Sequence, residues 1–251
     1  MKKPQLFLLH FAGGNCYSFK FLTTFLRNFD VNALELPGRG NRMNEDFLKD
    51  FDLAVEDLYN QINVKLNSAK FMIYGHSMGA YLALRICSML EKINRFPVYL
   101  IVSGNPGPGI EDDKKRYLME HNDFIEELKQ LGGIPLEIME NEELLEFFLP
   151  ILRADFEISE KNELKKELAI NAPIYAMMGN QEEKVDEISN WSRYTRSIFN
   201  CKTFEGGHFF IHHHPQQIAK IMKDCYHFAP YSRSLDDEQP APDIENKRCK
   251  T

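Results

Sequence analysis

The stretch Phe71-Met72-Ile73-Tyr74-Gly75-His76-Ser77-Met78-Gly79-Ala80 decides the fold. A short apolar run enters Gly75-His76-Ser77-Met78-Gly79, and Leu82, Ile86 and Met89 then recur on one face with Ala83, Cys87 and Leu90 beside them. That spacing is helical, so the stretch reads as strand, sharp turn, helix. A serine on such a turn is held in a strained backbone conformation with its hydroxyl above the sheet edge. Gly75 and Gly79 answer a crossing of strand and helix so close that any Cβ would collide. The Met78 N–H opens the helix without an intrahelical partner and is available to an oxyanion. Ser77 is thus a candidate nucleophile, and the rest of the chain reads as its scaffold.

Upstream, Gln5 to His10 reads as a buried strand that runs into Phe11-Ala12-Gly13-Gly14-Asn15. Two glycines after a strand let the backbone turn tightly around a ligand, so the Ala12 N–H is a candidate second oxyanion donor, with Phe11 as the alternative. His10, at the strand end, reads as structural or pocket-lining rather than as a base. Phe19 to Phe29 reads as a helix and Val31 to Leu36 as a strand that stops at Pro37-Gly38-Arg39-Gly40-Asn41-Arg42. Phe51 to Leu66 is the helix that returns the chain to Phe71, and Val98 to Ser103 is the next strand. Strands alternating with helices in this way predict an α/β fold, a mostly parallel sheet covered by helices on both faces.

The alternation then breaks. After the Pro/Gly-rich Gly104-Asn105-Pro106-Gly107-Pro108-Gly109, residues 107–170 carry helical stretches at Asp123 to Leu131, Glu142 to Leu152 and Asp155 to Ile170, and no strand. Phe147, Phe148, Leu149, Ile151 and Leu152 are too apolar for a solvated helix pair. A helical lid, entered through a hinge, is expected here. The sheet pattern resumes with a strand at Pro173 to Met178, a helix at Glu187 to Ser197, a strand at Cys201 to Phe204 and a last helix at Pro215 to Phe228. A single domain over residues 1–230 accounts for this pattern. Residues 231–251 are polar, Pro-rich and charged, a tail that buries too little apolar surface to order itself.

With 43% hydrophobic and 12% aromatic residues, a chain of 251 residues has enough apolar mass for one large core. A formal net charge of -7 lacks the basic excess of a general nucleic-acid binder. The apolar run Leu6 to Leu9 is too short for a signal segment or a membrane span, which makes the cytoplasm the expected location. The five cysteines are odd in number, widely spaced and without a CxxC pair, and indicate neither a disulfide framework nor a zinc site. The adjacent His212, His213 and His214 point in different directions on a helix and indicate no metal site either.

A serine hydroxyl is a poor nucleophile at neutral pH. It needs a base to take its proton and a third group to orient that base and stabilise its charge. In a sheet of this kind the partners come from loops after later strands, in the order serine, acid, histidine. His208, in Glu205-Gly206-Gly207-His208-Phe209-Phe210, is the histidine that follows a late strand behind two glycines. The acid is expected after the Pro173 to Met178 strand, within Gly179-Asn180-Gln181-Glu182-Glu183-Lys184-Val185-Asp186. Glu182 is the first candidate there, with Glu183, Asp186 and, after the preceding strand, Asp112 as alternatives.

With those residues in place, the sequence resembles the type II thioesterases, free-standing editing hydrolases of nonribosomal peptide and polyketide synthases within the α/β-hydrolase superfamily. The likeness runs up to the tail. Its more specific parts are Leu36-Pro37-Gly38-Arg39-Gly40-Asn41-Arg42, Leu131-Gly132-Gly133-Ile134-Pro135 and Leu149-Pro150-Ile151-Leu152-Arg153-Ala154-Asp155-Phe156. One departure is Gln181-Glu182, where the family usually has paired aspartates. The resemblance implies that Ser77, His208 and Glu182 form a triad against acyl thioesters on the phosphopantetheine arms of acyl or peptidyl carrier proteins. It also implies an oxyanion hole from the Met78 and Ala12 amides, no metal, no cofactor, no membrane and a monomer. An acidic carrier would need a local basic rim, for which Arg39, Arg42 and Lys129 are candidates. Two other readings stay open: a small-ester or acyl-CoA hydrolase of the same fold, and a non-catalytic relative that binds acyl chains or a synthase partner.

Overall fold

Strand and helix alternate through β1 (Gln5–Leu9), α1 (Lys20–Thr23), β2 (Asp30–Ala33), α2 (Phe51–Lys65), β3 (Phe71–His76), α3 (Met78–Lys92) and β4 (Tyr99–Ser103). Three helices, α4 (His121–Leu131), α5 (Leu136–Met139) and α6 (Glu142–Glu160), intervene before β5 (Ile174–Gly179), β6 (Phe199–Phe204) and α7 (Pro215–His227). The computed structural model describes residues 2–110, 114–132, 134 and 136–229. Every strand pair is parallel, and the order across the sheet is β2-β1-β3-β4-β5-β6.

The strands read as unbroken apolar runs because both faces are buried. Successive side chains point to opposite faces. Phe7 and Leu9, Phe71 and Ile73, and Leu100 and Val102 therefore join α2 and α3 in one core. Leu6 and Leu8, Met72 and Tyr74, and Tyr99 and Ile101 join α7 and the segment 19–29 in the other. The register pairs Leu9 with Gly75 and His76 with Ser103, so the loops after β1, β3 and β4 leave the sheet side by side. That adjacency positions the site.

Between β3 and α3, Ser77 has φ 55° and ψ -119°. A Cβ on Gly75 would strike the Gly79 carbonyl, and one on Gly79 would strike the Leu9 and His10 carbonyls. The two glycines let α3 pack backbone to backbone against β3 and β1.

Several elements differ from the sequence reading. The helix expected over Phe19 to Phe29 is one turn, α1, followed by bonds from the Phe25, Leu26 and Phe29 amides to carbonyls three residues back. Thr23 and Thr24 donate their hydroxyls to the Lys20 and Phe21 carbonyls at 3.1 and 3.3 Å, which competes with a regular helical ladder. The segment expected to be a helix at Glu187 to Ser197 is a 3-10 helix over Val185–Tyr194.

In the insertion, α6 runs unbroken through Pro150 and merges the two expected helices as far as Glu160. Leu149, Ile151, Leu152, Ala154 and Ile158 are buried along it, so packing outweighs the hydrogen bond that Pro150 deletes. Phe124, Leu128, Leu145, Leu149 and Leu152 form a small core of the insertion, while Ile158 and Leu164 join the main one. The expected hinge is anchored. Trp191 Nε1–H donates to Asn105 O at 3.0 Å, and Asn190 Nδ2–H and Tyr194 OH both donate to Pro108 O at 2.9 Å. Residues 231–251, with Asp112, Gly133 and Pro135, lie outside the described residues. Among the described residues no helix is long and apolar enough to cross a membrane.

The crossing of α3 over the sheet yields a contrast in urea unfolding. Gly79→Ala should lose about 2 kcal/mol or more through overpacking. Gly207→Ala, where an added Cβ meets nothing within 4 Å, should stay within about 0.5 kcal/mol of wild type. Equal stability of the two variants would contradict the close crossing.

Candidate active site

The backbone of Ser77 is held from β4 and the loop beyond it. Its N–H donates to Ser103 O at 2.7 Å, and its carbonyl accepts from Asn105 Nδ2 at 2.8 Å. The Met78 N–H stands first in α3, and the Ala12 N–H lies in the turn after β1. Among the described residues neither amide donates a hydrogen bond. Such amides are the donors an oxyanion needs.

His208 arrives on the loop after β6. A Cβ on Gly179, the last residue of β5, would strike the Gly206 and Gly207 carbonyls, so this loop passes directly over the end of β5. There Glu182 divides its carboxylate. One oxygen accepts the Gly179 N–H at 2.7 Å, and the other accepts His208 Nδ1–H at 2.8 Å. With its proton on Nδ1, neutral His208 presents Nε2 as a lone pair, the state a general base requires. The Glu182 side chain is only 8% exposed, whereas Glu183 and Asp186 are exposed and do not bond to His208. Asp112 lies outside the described residues.

Ser77, His208, Glu182, Ala12 and Phe11 line one cavity of about 1100 Å³. Leu128, Phe148, Leu152 and Phe156 of the insertion supply apolar lining to the same cavity. A hydroxyl on a strained turn, an oriented imidazole, a buried carboxylate and free amides suit acyl transfer through a covalent serine intermediate. Among the described residues no cluster of His, Cys, Asp and Glu is placed to hold a metal. His214 instead donates Nε2–H to Glu205 O at 2.8 Å.

Two further histidines are buried in this layer. His10 donates Nδ1–H to Phe11 O at 2.8 Å and accepts the Leu36 N–H on Nε2 at 3.3 Å, which defines a neutral ring. Burial, reinforced by the positive charge of Arg39, lowers its pKa to about 4. His76 Nδ1 is hydrogen-bonded to Ser103 Oγ at 2.8 Å, as is the Tyr74 hydroxyl. Its Nε2 has no hydrogen-bond partner among the described residues. Burial, with His208 and His212 nearby, holds His76 well below the usual imidazole range.

The basic rim expected from Arg39, Arg42 and Lys129 is not what these residues form. Arg39 is 4% exposed and pairs with Asp155. Arg42 grips Glu45 and Asp57, and exposed Lys129 pairs with Glu126. Asp155 and Asn105 escaped the sequence reading as site residues. The motif around Asp155 was visible, but nothing local indicates a partner 116 residues away.

The chain matches the thioesterase domain family over residues 4–226. It is similar to gramicidin S biosynthesis protein GrsT of Aneurinibacillus migulanus, with 31% identity over 225 residues that cover 88% of each chain. Thioesterase PikA5 of Streptomyces venezuelae is 26% identical over 220 residues, covering 86% of this chain and 78% of that one. Among solved structures, the type II thioesterase BorB from the borrelidin biosynthetic cluster superposes with a TM-score of 0.79 at 26% identity, over 90% of this chain and 92% of that one.

The buried histidines make acid stability a test of the packing. The unfolded chain protonates His10 near its ordinary value of 6.5, while the folded chain resists protonation down to about 4. The unfolded state therefore binds more protons in that window, so stability is full above it and falls as pH drops through it. The Tm should decline across this interval, and His10→Gln, whose amide keeps one donor and one acceptor, should decline less steeply. An identical slope in the two proteins would contradict a neutral, buried His10.

Proposed function

The chain belongs to the thioesterase family, and we propose that it is a type II thioesterase of nonribosomal peptide or polyketide assembly whose Ser77, His208 and Glu182 release acyl groups from carrier-protein phosphopantetheine arms. The observation that carries this reading is the 2.8 Å hydrogen bond between His208 and Glu182, on the wall of the cavity that Ser77 also lines.

Ser77 Oγ attacks the thioester carbonyl carbon while His208 Nε2 takes the hydroxyl proton. The resulting imidazolium is stabilised by the Glu182 carboxylate on Nδ1. Negative charge gathers on the former carbonyl oxygen, and the amides of Met78 and Ala12 donate to it. Collapse breaks the carbon–sulfur bond, and His208 returns its proton to the leaving thiolate. Water, deprotonated by the same imidazole, then attacks the acyl-serine. The acid leaves and Ser77 regains its hydrogen.

The apolar wall suits an acyl chain. Lys114, Lys115, Arg116, Lys165 and Lys166 line another part of the cavity together with Glu160 and Glu163. Lys114 and Arg116 pair with Glu127, Arg116 also with Glu160, and Lys166 with Glu163. A phosphodiester or an acidic carrier would therefore meet a mixed-charge wall in which these carboxylates compete for the cations. On this reading the insertion 107–170 is a lid above the acyl site, and the protein works in the cytoplasm as a monomer.

Ser77→Ala should remove hydrolysis of an acyl-carrier thioester. Glu182→Gln should lower kcat by about 10³-fold or more through loss of the correct imidazole tautomer, while Glu183→Gln and Asp186→Asn stay within about twofold. Full activity of Glu182→Gln would move the acid elsewhere. Turnover of p-nitrophenyl acetate as efficient as that of the carrier thioester would instead favour a general esterase.

A further inference from the structure

Asp155 lies on α6 with no solvent exposure, and its carboxylate is fully engaged. Oδ2 accepts the Gly13 N–H at 2.7 Å and also Nη1 of Arg39, while Oδ1 accepts Arg39 Nη2 at 2.8 Å. Arg39 in turn donates Nε–H to Pro37 O at 3.3 Å and Nη1–H to Gly14 O at 3.5 Å. One ion pair thus joins the turn after β1, the loop after β2 and a helix of the insertion.

Gly13 follows Ala12, so its N–H belongs to the peptide plane that carries the Ala12 carbonyl. Pinning that N–H fixes the plane on the C-terminal side of Ala12. The plane on the N-terminal side is fixed through Phe11 O, which accepts His10 Nδ1–H at 2.8 Å and the Gly14 N–H at 2.9 Å. In a trans peptide the Phe11 carbonyl and the Ala12 N–H point in opposite directions, so holding one aims the other.

We infer that the Arg39–Asp155 pair is a positioning device for the oxyanion hole: through the Gly13 N–H a helix of the insertion holds the peptide plane after Ala12, and so limits the rotation of the turn in which the plane held by His10 and Gly14 presents the Ala12 N–H. The inference rests on the reading of Ser77 as nucleophile and Ala12 as oxyanion donor. It adds that α6, whose Phe148, Leu152 and Phe156 line the acyl cavity, also anchors the turn that carries one of the two oxyanion donors. Acyl binding and oxyanion geometry then share one rigid element.

The test is the double variant Arg39→Leu/Asp155→Leu, which removes both buried charges together and so avoids a lone uncompensated one. In a cooperatively folded double variant, kcat on the acyl-carrier thioester should fall by about 10²-fold with KM within about threefold of wild type. The Ki of an alkylboronic acid, whose serine adduct places an oxygen in the hole, should rise in parallel. A loss of stability with kcat, KM and Ki unchanged at low temperature would overturn the inference and leave a purely structural pair. If the double variant does not fold, Asp155→Asn decides. Its neutral oxygen is a weaker acceptor and its amide opposes Arg39, so kcat should drop about tenfold, and wild-type kcat and Ki would overturn the inference. Ser77→Ala run alongside separates the two levels. An active Ser77→Ala removes the underlying reading, whereas an inactive one beside a fully active double variant removes only the role of the pair.

Discussion

Ser77 holds a positive φ of 55° while carrying a side chain, a conformation that costs on the order of 1–3 kcal/mol and persists only where its surroundings over-determine it. Here they do so from two sides. Hydrogen bonds from Ser77 to Ser103 and from Asn105 back to Ser77 clamp the turn to β4 and the loop after it. Gly75 and Gly79 allow β3, α3 and β1 to meet without intervening side chains. The turn places Ser77 on the cavity wall, and the same crossing brings the loop after β1 alongside. Without this contact, neither the serine nor the amides near it would have a defined direction.

The loops around the turn are fixed by buried polar groups as well as by the packing of Phe11, Phe210 and Ile211 in the core. Glu182 is bonded to Gly179 and His208, Asp155 to Gly13 and Arg39, and His10 to Phe11 and Leu36. In a low-dielectric layer each of these groups is costly to leave unpaired, so a satisfied network specifies one arrangement. Removing one member of a buried ion pair typically costs about 3–5 kcal/mol because the other remains desolvated. The site is therefore rigid where charge develops, and its apolar wall comes from the insertion, which has a small core of its own and is tied to the main one through Ile158, Leu164 and Asp155.

The parts of this architecture that repeat were legible in the sequence. Strand runs such as Gln5–Leu9 and Phe71–His76 announce burial on both faces, and the glycines around Ser77 announce a close backbone approach. The bond between His208 and Glu182, the first-ranked acid, follows from the loop order of a parallel sheet. Element ends and helix type were less legible. At α1 the threonine hydroxyls compete for carbonyls, and at Pro150 tertiary burial carries α6 past a residue that ends most helices. Least legible was Arg39, read as part of a solvated rim. Its buried partner Asp155 lies across the fold, and no local pattern encodes a long-range ion pair.

The central claim is that Ser77, His208 and Glu182 act as one unit at the edge of the sheet. Covalent labelling with a fluorophosphonate, followed by peptide mass spectrometry and timed in wild type and in His208→Ala, tests it most directly. The account expects a single adduct on the peptide that carries Ser77, formed orders of magnitude more slowly once the imidazole is gone. An adduct on another residue, or labelling of Ser77 at the same rate without His208, would contradict it.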